Sequence, residues 1–431
     1  MSKPDATLQT RTAERRKRGQ RRWTIIILCA LVALLDGMDL QSIGLAAPFM
    51  AEALHVAPSA FGLVFSIALV GMALGSFALG RLADRSGRDR VLIAATICFA
   101  VFTLATAFAS DFGQLLAFRF LTGVGLGGAV PCFISLCSEH APPRMRATVV
   151  SLVWAGFPFG GVVGGLVASL LIPAFGWRSI FFAGGAPPLL IAVALMWVLP
   201  RSFASLERSP ETSIPAYIDS VATGLARVDG GPMRLFSVDR AGSTILLWSS
   251  FFFTFMILVT NSAWTPTLLR ALGLPIEHIG LVLATFNFCA LVGSSSAGLL
   301  LTRFGILAVL PGAVAGSALA YALVGYGAPS FAAVMICQGL FGLFAGCASS
   351  GLIAFAATLY PAAFRATGIG YAMATGRCGS VVGPLVVGGL ASVSWPAQNI
   401  FLLMGAMVMI GAIATLGLAL RRPPLESAGA G

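Results

Sequence analysis

Apolar runs of roughly 20 residues recur along this chain from Trp23 to Leu420, and each is long enough to cross about 30 Å of hydrocarbon as a helix. A bilayer core holds no water to bond backbone groups, so only helices and closed barrels can span it. Strand-sized segments of alternating polarity are absent, which removes the barrel. The expected fold class is an all-α membrane protein of about 12 transmembrane helices. Of the 431 residues only 10% are charged and 58% are hydrophobic, whereas soluble domains carry about 25% charged residues. The same figures exclude a disordered or collagen-like chain.

The spans fall near 24–48, 60–80, 91–109, 114–137, 147–172 and 178–199, then near 243–265, 278–302, 305–325, 330–358, 367–393 and 397–420. Between the sixth and seventh lies the only long polar interval, from Pro200 to Arg240. The expected organisation is a basic tail (1–22), a six-helix half (23–199), a linker (200–242), a second six-helix half (243–420) and a tail (421–431). On this layout roughly 23 of the 27 Lys and Arg lie on one side, including Arg15, Arg16, Lys17, Arg18, Arg21, Arg22, Arg421 and Arg422. The other side holds about two, Arg178 and Arg270. This positive-inside pattern places both termini in the cytoplasm. The Ala-, Gly- and Arg-rich composition points to a bacterial inner (plasma) membrane. The net charge of +11 then serves orientation in lipid and does not call for a nucleic-acid partner.

The N-terminus is basic and then apolar, as a signal peptide is. Its apolar run is too long and lacks a small-residue cleavage site, so the first helix is expected to be retained. Cys29, Cys98, Cys132, Cys137, Cys289, Cys337, Cys347 and Cys378 all fall inside spans, without metal-ligand spacing beside histidines. They read as small packing residues. His55, His140 and His278 lie at helix ends or loops, so neither a His-based catalytic cluster nor a metal or cofactor is expected.

The two halves correspond at an offset of 218 to 219 positions. RFLTGVGLGG (119–128) lies over QGLFGLFAGC (338–347), and PPRMRATVVSL (142–152) over PAAFRATGIGY (361–371). GRLADRSGR (80–88) lies over the weaker GLLLTRFGI (298–306), and Trp177 over Trp395. Four matches in register argue for duplication. Glycines recur in Gly-x-x-x-Gly-like spacings inside spans, such as Gly71/Gly75, Gly123/Gly127 and Gly160/Gly164, where small residues let helix backbones approach in lipid.

Four charges sit inside spans: Asp36 and Asp39 in the first, Arg119 at the start of the fourth, and Arg377 in the eleventh. Each costs roughly 2.5–3.5 kcal/mol at the bilayer centre even on the lenient insertion scale. Together they approach the whole stability of an ordinary domain, about 10 kcal/mol. Two Asp and two Arg make a neutral set. Adding a substrate carboxylate leaves one negative charge in excess, and protonating one Asp restores neutrality. An anion and a proton would thus travel together, with Asp36 and Asp39 as the proton-coupling pair. The alternative is that one Asp pairs with Arg119 to hold the first and fourth spans together. Arg377 offers a planar fork suited to a carboxylate. In GRLADRSGRDR, Asp84 stands among Arg81, Arg85 and Arg88 around the turn at Gly87, a charge cluster able to latch a gate. Glu139, at the end of the fourth span, is an interfacial acid suited to pairing with Arg144 or Arg146.

The whole chain resembles a major facilitator transporter, and GRLADRSGR matches that superfamily's signature loop. Within it, ALLDGMDLQSIGLAAP, RFLTGVGLGGAVP, SEHAPPRMRATVVSL and LIPAFGWRSIFFAGG resemble the aromatic acid:proton symporters. The resemblance implies two pseudo-symmetric six-helix halves, no enzymatic activity and proton symport of small aromatic carboxylates of the hydroxybenzoate or phenylpropionate type. It puts the transport-linked Asp-Gly-x-Asp at Asp36 to Asp39, the fourth-span Arg and following Glu at Arg119 and Glu139, the loop Asp at Asp84 and the Gly-Arg at Arg377. Gating residues are then Asp84, Arg85, Gly87, Arg88 and Glu139. The second signature loop departs from the pattern, with Thr302 for Asp and Ile306 for Arg, so gating is expected from the N-terminal half alone.

An aromatic carboxylate also needs an apolar slot beside its cation. Trp154, Phe157, Phe159, Trp264, Phe286 and Phe288 are candidates, with Gln41 and Asn287 for a ring hydroxyl. The expected partners are the aromatic carboxylate, protons and lipid, and the expected state is a monomer. The alternatives are a carrier of muconate- or nicotinate-like acids and a drug-efflux antiporter. A sensor built on a transporter fold is disfavoured by the short linker and tails.

Overall fold

Wherever the sequence stays apolar for about 20 residues the chain is helical, because an unbonded peptide group costs several kcal/mol in lipid. The structure is a computed structural model that describes residues 6–142, 145, 149, 152, 153, 155–199, 241–328, 330–359 and 365–421. Its α-helices are α1 (Ala6–Ala53), α2 (Phe61–Ser86), α3 (Arg88–Thr106), α4 (Phe112–His140), α5 (Gly156–Phe175) and α6 (Arg178–Val198). The remaining six are α7 (Ala241–Ala271), α8 (Ile276–Phe304), α9 (Ile306–Gly327), α10 (Phe331–Leu359), α11 (Arg365–Ser392) and α12 (Ala397–Leu420). Eleven of them are long and apolar enough to cross a membrane. The exception is α11, which carries Arg377 among Thr, Ser and Gly. The expected linker lies outside the described residues save for Ala241 and Gly242. The expected N-terminal tail is helical from Ala6 onward.

The helices form two pseudo-symmetric six-helix halves, and glycine contacts show the symmetry in detail. A Cβ on Gly75 of α2 would strike the backbone of Val124 on α4, and one on Gly293 of α8 would strike Leu343 on α10. Gly127 meets Met72 as Gly346 meets Ala290, and Gly160 meets Leu34 as Gly379 meets Phe252. Every residue in the second member of each pair stands 218 or 219 positions beyond its counterpart in the first. The turns repeat as well. Gly87 between α2 and α3 (φ 96°) and Gly305 between α8 and α9 (φ 78°) hold a left-handed conformation that favours glycine.

By packing, the chain divides into two compact units. One comprises Met1–Asp39, Val70–Gly160 and Arg178–Thr212; the other comprises Leu40–Leu69, Gly161–Trp177 and Ser213–Gly431. In the first, α3 packs on α4 and α6. Arg21 donates from Nε and Nη2 to the Val198 carbonyl at 3.1 and 2.6 Å, joining α1 to α6.

The second unit holds the last stretches of α1 and α5 and the first stretch of α2 against the C-terminal half. On α1 and α7, residues 44, 48 and 52 stand 218 positions before 262, 266 and 270, so matching stripes face each other. Gly44 lies against the Ser262 carbonyl, Pro48 and Pro266 interrupt the two helices, and Glu52 pairs with Arg270 at 2.9 Å. Arg270 also lies over the Phe49 ring at 4.1 Å. Gly62 of α2 sits 2.7 Å (from a Cβ position) off the Pro384 carbonyl of α11, and Gly165 of α5 the same distance off the Gly280 carbonyl of α8. These last two contacts are symmetry equivalents. At this end of the bundle the halves meet backbone to backbone.

Replacing Gly160 or Gly379 with Leu drives a side chain into a facing carbonyl and should destabilise the protein by about 1–3 kcal/mol. Gly312→Leu and Gly389→Leu, where a Cβ meets nothing within 4 Å, should leave thermal unfolding in detergent near wild type.

Candidate functional site

The first polar centre lies inside the first unit. Gly37 makes it possible for α1 to lie directly on the Phe157 backbone of α5, which puts the flanking Asp36 and Asp39 in the protein interior. Asp39 is 1% exposed and Arg119 of α4 is 2% exposed. They meet in a fork: Nη1 of Arg119 donates to Oδ1 at 3.1 Å and Nη2 to Oδ2 at 2.6 Å. Thr103 of α3 donates to the same Oδ1 at 3.3 Å, so three helices converge on one carboxylate. Arg119 Nε is buried and has no hydrogen-bond partner among the described residues.

Two parallel charge-assisted bonds give this pair both strength and direction. Burying both ions costs several kcal/mol each, and well-packed apolar residues are often as stable or more so. The pair is therefore poorly explained as a stabilising device.

The second centre belongs to the second unit and is neutral. Gln41 of α1 accepts from Asn287 Nδ2 of α8 at 3.0 Å, and that nitrogen also donates to the Leu283 carbonyl at 2.9 Å. Sequence reasoning named both residues, and they bond each other. Gly161 of α5 makes room, because a Cβ there would collide with the Asn287 amide. Phe286 is buried and stacks on Phe341 of α10 with centroids 5.1 Å apart. Trp264 is buried, donates its indole N–H to the Pro384 carbonyl at 3.0 Å and meets the edge of Phe65.

Among the other expected site residues, Phe157 is half-buried, Phe159 and Phe288 are exposed, and Arg377 is exposed on α11. Trp154 lies outside the described residues. A guanidinium at the depth of Arg377 takes water, an opposite charge or a ligand in preference to lipid.

The charge cluster expected around Gly87 falls only partly within the described residues, and Arg144 and Arg146, expected beside Glu139, lie outside them. Arg88, at the first turn of α3, pairs with Glu139 near the end of α4, each side chain a little over a quarter exposed. Arg85 is exposed. Asp84 is on α2, and its side chain lies outside the described residues. The equivalent positions in the other half are Ile306 and Ala357 or Thr358, none charged. The Arg88–Glu139 pair thus has no charged counterpart at the equivalent positions.

Sequence reasoning missed a cluster on α7, α9 and α10: Asn261, Thr265, Tyr321 and Gln338, all fully buried. Neutral amides and hydroxyls inside apolar runs carry no charge signal. One clue was present, because the duplication places Gln338 opposite Arg119.

The Major Facilitator Superfamily profile matches residues 29–275 and 245–431. The chain belongs to this superfamily. It is 34% identical over 424 residues to a 4-hydroxybenzoate transporter of Pseudomonas aeruginosa, covering 93% of this chain and 92% of that protein. It is also 34% identical over 403 residues to the 3-(3-hydroxy-phenyl)propionate transporter of Escherichia coli K12, covering 93% and 94%. A crystal structure of a D-xylose-proton symporter shares the fold, with a TM-score of 0.74 at 17% identity over 91% of this chain and 97% of that one. As a member of this superfamily the protein is an integral membrane transporter and not an enzyme.

Asp39→Asn leaves Arg119 charged, buried and uncompensated, which should cost about 3–5 kcal/mol. The double variant Asp39→Asn/Arg119→Gln should recover most of that loss. A double-mutant cycle on thermal unfolding in detergent measures it.

Proposed function

We propose that this protein is a proton symporter that imports small aromatic carboxylates across the inner membrane by alternating access, with both termini cytoplasmic and the monomer as the working unit. The observation that carries the reading is the buried, bidentate Asp39–Arg119 pair. The aromatic acids named for the similar transporters of Pseudomonas aeruginosa and Escherichia coli supply the substrate class.

A substrate carboxylate has the same two-oxygen geometry as the Asp39 side chain, so it can take the Arg119 fork in its place. It does so at no net change in buried charge only when Asp39 accepts a proton. Asp39 anion with Arg119 cation is neutral; neutral Asp39, Arg119 cation and substrate anion are neutral too. Binding either the proton or the carboxylate alone leaves an uncompensated charge in a dry interior, and that penalty couples the two. Release runs in reverse: Asp39 loses its proton, reclaims Arg119 and displaces the carboxylate.

Asp36, three residues away on the same face, is proposed as the second group of the proton pathway. Arg377 is proposed as a further contact for the anion. Gln41, Trp154, Phe157, Trp264, Phe286 and Asn287 are proposed for the ring and its substituents. Asp84, Arg85, Gly87, Arg88 and Glu139 are proposed as the gate, with the Arg88–Glu139 pair made in one state and broken in the other.

Carrying one proton per monoanion moves no net charge. A pH difference of one unit then supports about tenfold accumulation, worth about 1.4 kcal/mol. Uptake of labelled 4-hydroxybenzoate into proteoliposomes should rise as the outside is acidified and collapse with a protonophore. Asp39→Asn should abolish gradient-driven accumulation. Protonophore-insensitive accumulation, or wild-type accumulation by Asp39→Asn, would overturn the reading.

A further inference from the structure

The buried cluster on α7, α9 and α10 has an unfinished hydrogen-bond set. Gln338 donates from Nε2 to Asn261 Oδ1 at 2.9 Å, and Thr265 donates to the same oxygen at 2.9 Å. Thr265 also lies 3.4 Å from the Tyr321 hydroxyl. Two atoms are left over, Asn261 Nδ2 and Gln338 Oε1, both buried and without a hydrogen-bond partner among the described residues. Asn261 and Gln338 are each 0% exposed.

Leaving a buried polar atom unpaired costs about 1–3 kcal/mol, and the cost is doubled here. The leftover atoms are complementary, one donor and one acceptor. Turning both amides over keeps the bond between them and again leaves one donor and one acceptor, so the conclusion does not depend on amide orientation. A hydroxyl group offers both functions, accepting from an amide N–H and donating to an amide oxygen. A carboxylate does not, because it only accepts.

The duplication sharpens the point. Gln338 stands 219 positions beyond Arg119, and Tyr321 stands 218 beyond Thr103. Asn261 lies on α7 one turn beyond residue 257, the counterpart of Asp39. The cluster is therefore the neutral counterpart of the Asp39–Thr103–Arg119 centre: two of its helix positions are equivalent, the third lies one turn away, and amides and hydroxyls stand where the other half has an ion pair. Beside it runs an aromatic layer, in which Tyr321 packs against Phe341 at 5.0 Å and Phe341 stacks on Phe286 at 5.1 Å.

We infer that Asn261 and Gln338 form a specificity subsite that recognises a hydroxyl group on the aromatic ring of the substrate, with Thr265 and Tyr321 as positioning residues. The inference rests on the aromatic-carboxylate reading above and adds which substituent is selected and by which residues. A site built to bond a hydroxyl discriminates against the analogue that lacks it, because both amide atoms are then stranded.

Uptake kinetics of benzoate, 3-hydroxybenzoate, 4-hydroxybenzoate and the matching fluorobenzoates test it in proteoliposomes. Wild-type protein should favour at least one hydroxybenzoate over benzoate and over its fluoro analogue by about 10- to 100-fold in kcat/KM. Gln338→Met and, independently, Asn261→Leu should erase that preference through KM of the hydroxybenzoate, with benzoate changed less than about twofold. Three results would overturn the assignment alone: equal wild-type use of benzoate and the hydroxybenzoates, a preference that survives both variants, or a parallel loss for both acids. The fluorobenzoate comparison needs no variant and stands even if neither substitution reaches the membrane. A wild-type protein that carries none of these acids would overturn the aromatic-acid reading, and the subsite with it.

Discussion

Helices in lipid have no water to escape, so what holds this bundle together is the distance to which their backbones can approach. Glycine sets that distance. At Gly75, Gly127 and Gly160, and again at Gly293, Gly346 and Gly379, a single added carbon would fall on a neighbouring backbone. Everything else in the structure is positioned by these contacts. Gly37 on Phe157 brings the first helix close enough for Asp39 to reach Arg119, and Gly161 leaves the space that the Asn287 amide fills. Contacts of this kind are made of smooth backbone without interdigitated side chains, which suits surfaces that must part and meet again.

The chemistry laid on that symmetric frame is asymmetric. One half carries the ion pair of Asp39 and Arg119 and the pair of Arg88 and Glu139. The other carries Gln338 and Tyr321 at the positions of Arg119 and Thr103, and Ile306 at the position of Arg88. Duplication alone would give two charged centres competing for one anion. Neutralising the second leaves the helix packing in place, because the glycine contacts named above do not involve these side chains. It leaves one charged centre and one made of hydrogen-bonding groups alone.

Much of this frame is legible in the amino-acid sequence. The membrane class, the helix count and the repeat offset follow from apolar run length and from matches such as Arg-Ala-Thr at 146–148 and 365–367. The in-span charges announce themselves because each is so costly in lipid. Which charge pairs with which is not legible. Asp36 and Asp39 are indistinguishable by spacing, and nothing in the sequence decides whether either meets Arg119; packing at Gly37 and the approach of Thr103 decide it for Asp39. The amide cluster is hidden for a different reason. Asn261, Thr265, Tyr321 and Gln338 come from three helices, none is charged, and only their meeting makes them conspicuous.

The end of the bundle where α1 meets α7 shows how the frame could serve transport. Gly44 against Ser262, Gly62 against Pro384 and Gly165 against Gly280 form a continuous seam, two of its contacts related by the duplication and the third lying where the two halves' equivalent helices cross. The ion pair on this seam, Glu52 with Arg270, has Glu52 largely exposed, and such a pair is worth about 0–1 kcal/mol. Among the described residues the seam is therefore held by shape and little by charge. A seam of that kind parts without a large electrostatic penalty, in contrast to the buried Asp39–Arg119 centre, where separating the two ions strands each in a low-dielectric interior.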